Sequence, residues 1–97
     1  MRFVALFEDN NAMADVRRRR EQDHFAYLRN HAREIIVAGG LREEAGGAFV
    51  GGLWVLEVPS KTRAKELVEN DPYFLESRRG YRLLVWGKAN PDIPATL

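Results

Sequence analysis

DVRRRREQDHFAYLRNHAREIIVAGG, residues 15–40, reads as a charged helix that turns directly into a strand, and the rest of the chain is ordered around it. The helix is expected to begin near Asp15 or a few residues earlier, with Asn11 or Asp15 as N-cap, and to run to about Arg33. His24, Tyr27, Leu28 and His31 follow one another at i, i+3, i+4 and i+7, which puts them on one stripe. Phe25, Leu28 and Ala32 are expected to face inward with His24 at the margin, while Arg18, Glu21 and Arg29 face water. Ile35 to Ala38 then reads as a short strand that Gly39-Gly40 ends.

Arg2 to Phe7, upstream, is an apolar strand closed by Glu8-Asp9-Asn10-Asn11. Its alternate residues are apolar on both faces, as expected of a central strand. Downstream, Leu41 to Gly52 reads as a glycine-rich connection able to form the lip of a pocket, and Leu53 to Val58 as a third strand. Ser60 suits the N-cap of a second helix, Lys61 to Asn70, whose Ala64, Leu67 and Val68 form the inward side. Asp71-Pro72 stops it and a brief helical piece, Tyr73 to Arg78, follows. Tyr81 to Gly87 is the fourth strand, and residues 88–97 form an extended tail of the single domain expected over 1–97.

The order β-α-β-β-α-β predicts an α+β fold of the ferredoxin-like plan, a four-stranded antiparallel sheet with two helices on one face. Two helices cover one face only, yet three strands carry large apolar side chains on both. The uncovered face predicts a homodimer through the sheet.

Composition narrows the function classes. Fifteen basic and 14 acidic side chains leave a formal charge of +1, without the basic excess of a nucleic-acid binder. There is no cysteine, so disulfides, zinc-thiolate sites and thiol nucleophiles are excluded. No signal-type leader or membrane-spanning run is present, and a cytoplasmic protein without membrane contact is expected. P-loop, dinucleotide and Gly-x-Ser-x-Gly motifs are all missing, and no cofactor is expected.

His24 has an ordinary pKa of about 6.5, suited to proton transfer near neutrality; it reads either as a general acid–base or as a structural histidine. Asp71 reads as a carboxylate that orients an imidazole or as turn chemistry before proline. Tyr73, and less directly Tyr27, can donate to a substrate oxygen or serve as core aromatics. His24 and His31 lack the further ligands that a metal site needs, and none is expected. The run Arg17 to Arg20 reads as a solvated face or as an attractor of anions.

The mid-helix His24 with Leu28, the Ala38-Gly39-Gly40 turn and Asp71-Pro72-Tyr73 together resemble the YciI-like (YCII-related) family of dimeric α+β-barrel proteins. The resemblance implies a ferredoxin-like protomer, a dimer, and a site using the helix histidine and the aspartate of the Asp-Pro step, here His24 and Asp71. Some members are dehydrochlorinases of chlorinated hydroxyquinols. The family arginine three residues before the histidine is Glu21 here, with Arg20 one place earlier, and the glycine turn is Gly39-Gly40 rather than Gly-Pro. Tyr73, Arg20, Gly39 and Gly40 are the substrate contacts expected. The expected function is a cofactor-independent lyase or isomerase moving a proton on a small, aromatic-type substrate through a His24–Asp71 dyad. The alternative is a non-catalytic module of the same fold that binds a small ligand or a protein.

Overall fold

The computed structural model describes residues 1–97. Its elements are β1 (Arg2–Glu8), α1 (Met13–Asn30), β2 (Ile35–Arg42), β3 (Phe49–Glu57), α2 (Lys61–Glu69), α3 (Pro72–Ser77) and β4 (Gly80–Val85). The strands form one four-stranded sheet in the order β2-β3-β1-β4, antiparallel at every pairing, as the element order predicts for an α+β chain. None of its helices is long and apolar enough to cross a membrane.

Strand alternation decides which residues meet the helices. Phe3, Ala5 and Phe7 of β1 and Trp54 and Leu56 of β3 point to one face, where they form the core with Ala64, Leu67 and Val68 of α2. Tyr27 and Leu28 of α1 pack on the same cluster. The opposite face carries Val4, Leu6, Leu53 and Val55, and on it Leu84 and Trp86 remain 42% and 44% exposed.

Several boundaries differ from the sequence expectation. Helix α1 starts at Met13 and stops at Asn30, short of Arg33, with His31 as C-cap. Its N-cap is Ala12, neither Asn11 nor Asp15; the Asn10 side chain accepts from the Ala12 N–H instead, at 3.0 Å. Phe25 is exposed, not inward, because the inner stripe is centred on His24 itself and continues N-terminally through Val16 and Met13. Gly39 and Gly40 do not end β2. They pair with Leu53 and Gly52, so the hairpin with β3 is longer than read and its loop is confined to residues 43–48.

The later turns follow local chemistry. Ser60, extended at φ −156°, caps α2 by accepting from the Arg63 N–H at 3.1 Å. Asp71 is extended, as the residue before a proline prefers, and Pro72 opens α3. Arg78 ends α3 in the left-handed conformation, φ 53°, turning the chain into β4.

Candidate functional site

His24 sits in the middle of α1 and is only 7% exposed. Asp71, at the N-cap of α3, is fully buried. The packing of α3 on α1 brings them together: His24 Nδ1 and Asp71 Oδ1 are 2.6 Å apart. An ionised carboxylate can only accept, so a neutral imidazole bonded to it holds its proton on Nδ1 and presents the Nε2 lone pair. The second carboxylate oxygen, Oδ2, is buried without a hydrogen-bond partner. The ring of Tyr73, two residues beyond Asp71, stacks on the imidazole with centroids 3.8 Å apart and planes at 8°. One turn of chain therefore fixes both an edge and a face of the histidine. Burial raises the Tyr73 phenol above its ordinary value, so its hydroxyl remains neutral near pH 7.

His24 and Tyr73 form part of the wall of a 190 Å³ cavity between α1, α3 and the sheet. Ala38, Gly39 and Gly40 of β2 and Gly52 and Trp54 of β3 complete the sheet side. Gly40 leaves room there for an aromatic ring. A Cβ on it would lie 2.4 Å from the ring of Phe49, which also lines the cavity.

Two arginines close the far end. Arg17 donates from Nη2 to both oxygens of Asp9 at 3.1 Å and to the Gly51 carbonyl at 3.1 Å. Arg79, 2% exposed, donates from Nη1 to Asp9 Oδ1 at 3.2 Å. Burial lowers the Arg79 pKa and the Asp9 hydrogen bond opposes that shift. Both guanidiniums stack on aromatic rings, Arg17 on Phe49 and Arg79 on Phe7, each at 4.2 Å.

Of the residues expected from sequence, His24, Tyr73, Gly39 and Gly40 line the cavity, and Asp71 stands behind the imidazole. Arg20 lies elsewhere: it is paired with Glu76 at 2.7 Å and with Asp23 at 3.0 Å, outside the lining. Tyr27 is also turned away, donating to the Leu67 carbonyl at 2.7 Å, and burial pushes its phenol up to about 12. Arg79 and Phe49 were not expected at the site, and Arg17 reads from sequence only as one of a run that is either a solvated face or an attractor of anions. Arg17 was detectable, since it lies seven residues before His24 and so on the same stripe. Nowhere do three His, Asp or Glu side chains gather as a metal site would require.

Residues 1–86 match the family model described as the YCII-related domain. Among solved structures the chain is similar to 5-chloro-2-hydroxyhydroquinone dehydrochlorinase (TftG) from Burkholderia phenoliruptrix AC1100, in complex with 2,5-dihydroxybenzoquinone. The identity is 25% and the TM-score 0.76, over 90% of this chain and 94% of that one. No curated protein matches the chain.

Proposed function

This chain belongs to the YCII-related domain family, and on that premise we propose that it is a cofactor-independent enzyme of the lyase or isomerase type, acting on a small ring compound. The observation that carries the proposal is the buried 2.6 Å contact between His24 and Asp71 at the wall of a ring-sized cavity. In this reading Nε2 removes a proton from the substrate, and the imidazolium that forms is stabilised by the Asp71 carboxylate on its other nitrogen. In an elimination the leaving group departs as the C–H electron pair becomes the new double bond. In an isomerisation the imidazolium returns the proton to a second atom. Tyr73 holds the plane of the ring, and its neutral hydroxyl is available as a donor to a substrate oxygen.

The likeness to a dehydrochlorinase favours elimination, and 5-chloro-2-hydroxyhydroquinone, the substrate in that relative's name, is the first compound to test. Turnover, read as chloride release, is expected from the wild-type protein. His24→Gln, which keeps the volume of the site, should reduce it by about 10² to 10⁴. A His24→Gln protein that is as active as wild type on any substrate found for the cavity refutes the reading.

The proposal includes a homodimer through the sheet face opposite the helices. Its support is the apolar surface of Leu84, Trp86, Val37 and Leu41, each between 36% and 44% exposed. Leu84→Asp should shift the sedimentation coefficient from dimer to monomer, and a wild-type monomer at micromolar concentration would remove this part.

A further inference from the structure

We propose that Arg17 and Arg79, bridged by Asp9, form an anion subsite of the cavity, so that the compound this protein accepts is a single ring carrying one ionised oxygen group, a carboxylate or an acidic phenolate. The inference rests on the reading of the cavity as the substrate site and adds the charge of the substrate to it.

The cluster holds more donors than its own partner can use. Asp9 accepts from both guanidiniums, at 3.1 Å from Arg17 and 3.2 Å from Arg79, which leaves one positive charge unmatched among these three side chains. Nε of Arg79 is buried with no hydrogen-bond partner, although the residue is 98% removed from solvent. A buried guanidinium donor without an acceptor is costly, and an ion pair built only to brace the end of β1 would have no reason to retain one. Arg17 uses Nε and Nη2 on Asp9 and Gly51 and Arg79 uses Nη1 on Asp9, which leaves Nη1 of Arg17 and Nε and Nη2 of Arg79 as donors for the oxygens of an anion.

Asp71 stands behind the imidazole and its carboxylate also acts on Arg79, and Glu21 lines the cavity with its side chain exposed to solvent, so the subsite rests on the unused guanidinium donors beside the cavity and not on a net positive charge. The volume sets the size of the guest. A 190 Å³ space is somewhat larger than the roughly 150 Å³ cavity that holds one benzene ring, so there is room for a ring and a small substituent but not for two rings. Phe49, Trp54 and Tyr73 supply flat walls.

The test is binding, independent of turnover. The wild-type protein is titrated with benzoate and with its neutral isostere benzamide, followed by amide chemical shifts. Benzoate is expected to bind at least tenfold more tightly. Arg17→Gln should remove most of that preference and Arg17→Lys should recover part of it. The buried Arg79 is tested with Arg79→Lys, which keeps the charge but loses the Nε donor, and should lower benzoate affinity without raising that of benzamide. A parallel titration with 4-nitrophenol above and below its own pKa distinguishes a phenolate-type from a carboxylate-type guest. His24→Gln should retain the preference for benzoate while losing turnover, so failure of the proton-transfer reading leaves the subsite standing. Equal affinity for benzoate and benzamide together with equal affinity for ionised and neutral 4-nitrophenol, absence of binding by all of them, or an Arg17→Gln protein that keeps the full preference for the ionised form overturns the proposal.

Discussion

Replacing His24 with alanine strands a buried carboxylate, and the size of the penalty measures how far the pair is a unit. Asp71 is fully buried, His24 is the one hydrogen-bond partner of its side chain, and Oδ2 already lacks one. Removing one member of such a pair costs about 3–5 kcal/mol. Against a total stability of about 5–15 kcal/mol for a domain of this kind, that is a large fraction. At roughly 4–8 °C per kcal/mol for a chain of this length, the midpoint should fall by about 12–40 °C. Asp71→Asn alone should be mild, about 1 kcal/mol, because the amide oxygen still accepts from Nδ1 and the buried charge is removed, which offsets most of the cost of an NH2 in the unpartnered position of Oδ2. In the double variant no buried charge remains, so it should be more stable than His24→Ala by about 2 kcal/mol, which with the Asp71→Asn cost of about 1 makes a coupling of about 3 kcal/mol, at the upper end of the usual range for contacting residues. Urea unfolding at neutral pH, followed by far-UV circular dichroism on all four proteins at one concentration, reads the cycle; equal concentration keeps any self-association the same across the four. Strictly additive costs, or a His24→Ala penalty below about 1 kcal/mol, would refute the reasoning.

Gly40→Ala should displace the Phe49 ring, whose atoms would lie 2.4 Å from the new Cβ; thermal melts should show a loss of about 1–3 kcal/mol. The neighbouring Gly39→Ala meets nothing within 4 Å and should stay within about 0.5 kcal/mol of wild type. Arg63, bonded to Glu34 at 2.8 and 2.9 Å, holds that carboxyl below its ordinary 4.5. The pair therefore adds stability that is complete above 4.5 and lost as pH falls through the lowered value. Arg63→Gln should flatten the acid limb of the pH–stability curve, at a cost under about 1 kcal/mol at pH 7, since the side chains are 34% and 29% exposed. Tyr27→Phe leaves the Leu67 carbonyl without its 2.7 Å donor and should cost about 1 kcal/mol in urea unfolding, with ligand binding unchanged because Tyr27 is outside the cavity.

Where a residue's environment is set by its near neighbours, the sequence was readable. Alternation placed Phe3, Ala5 and Phe7 on one face of β1, Ser60 announced the start of α2, and Pro72 explains both the extended Asp71 and the start of α3. The glycines misled. Gly39-Gly40 looks like a stop, yet pairing with β3 supplies the ladder that keeps it a strand, and the need for Gly40 comes from a phenyl ring nine residues away in sequence. Arginine misled in the opposite direction. Four in succession suggest a solvated face, and Arg18 and Arg19 meet that expectation, but the helical period turns Arg17 inward. Arg79 could not have been chosen over Arg78 from sequence, because the two are chemically identical and only the backbone between α3 and β4 separates them.

That two-residue link, Arg78 and Arg79, also bears on how the protein can change over generations. Its left-handed residue exposes one arginine and delivers the next to the interior, while the pairing of Gly80 with Glu8 and Tyr81 with Phe7 pins the strand that follows. Surface connections usually tolerate gained or lost residues. Here a single insertion or deletion would change which side chain enters beside Asp9, so the length of the link encodes the charge of the cavity. Substitution at Arg78, by contrast, is open: glycine is the residue that prefers such a conformation, and the exchange should be accepted without loss.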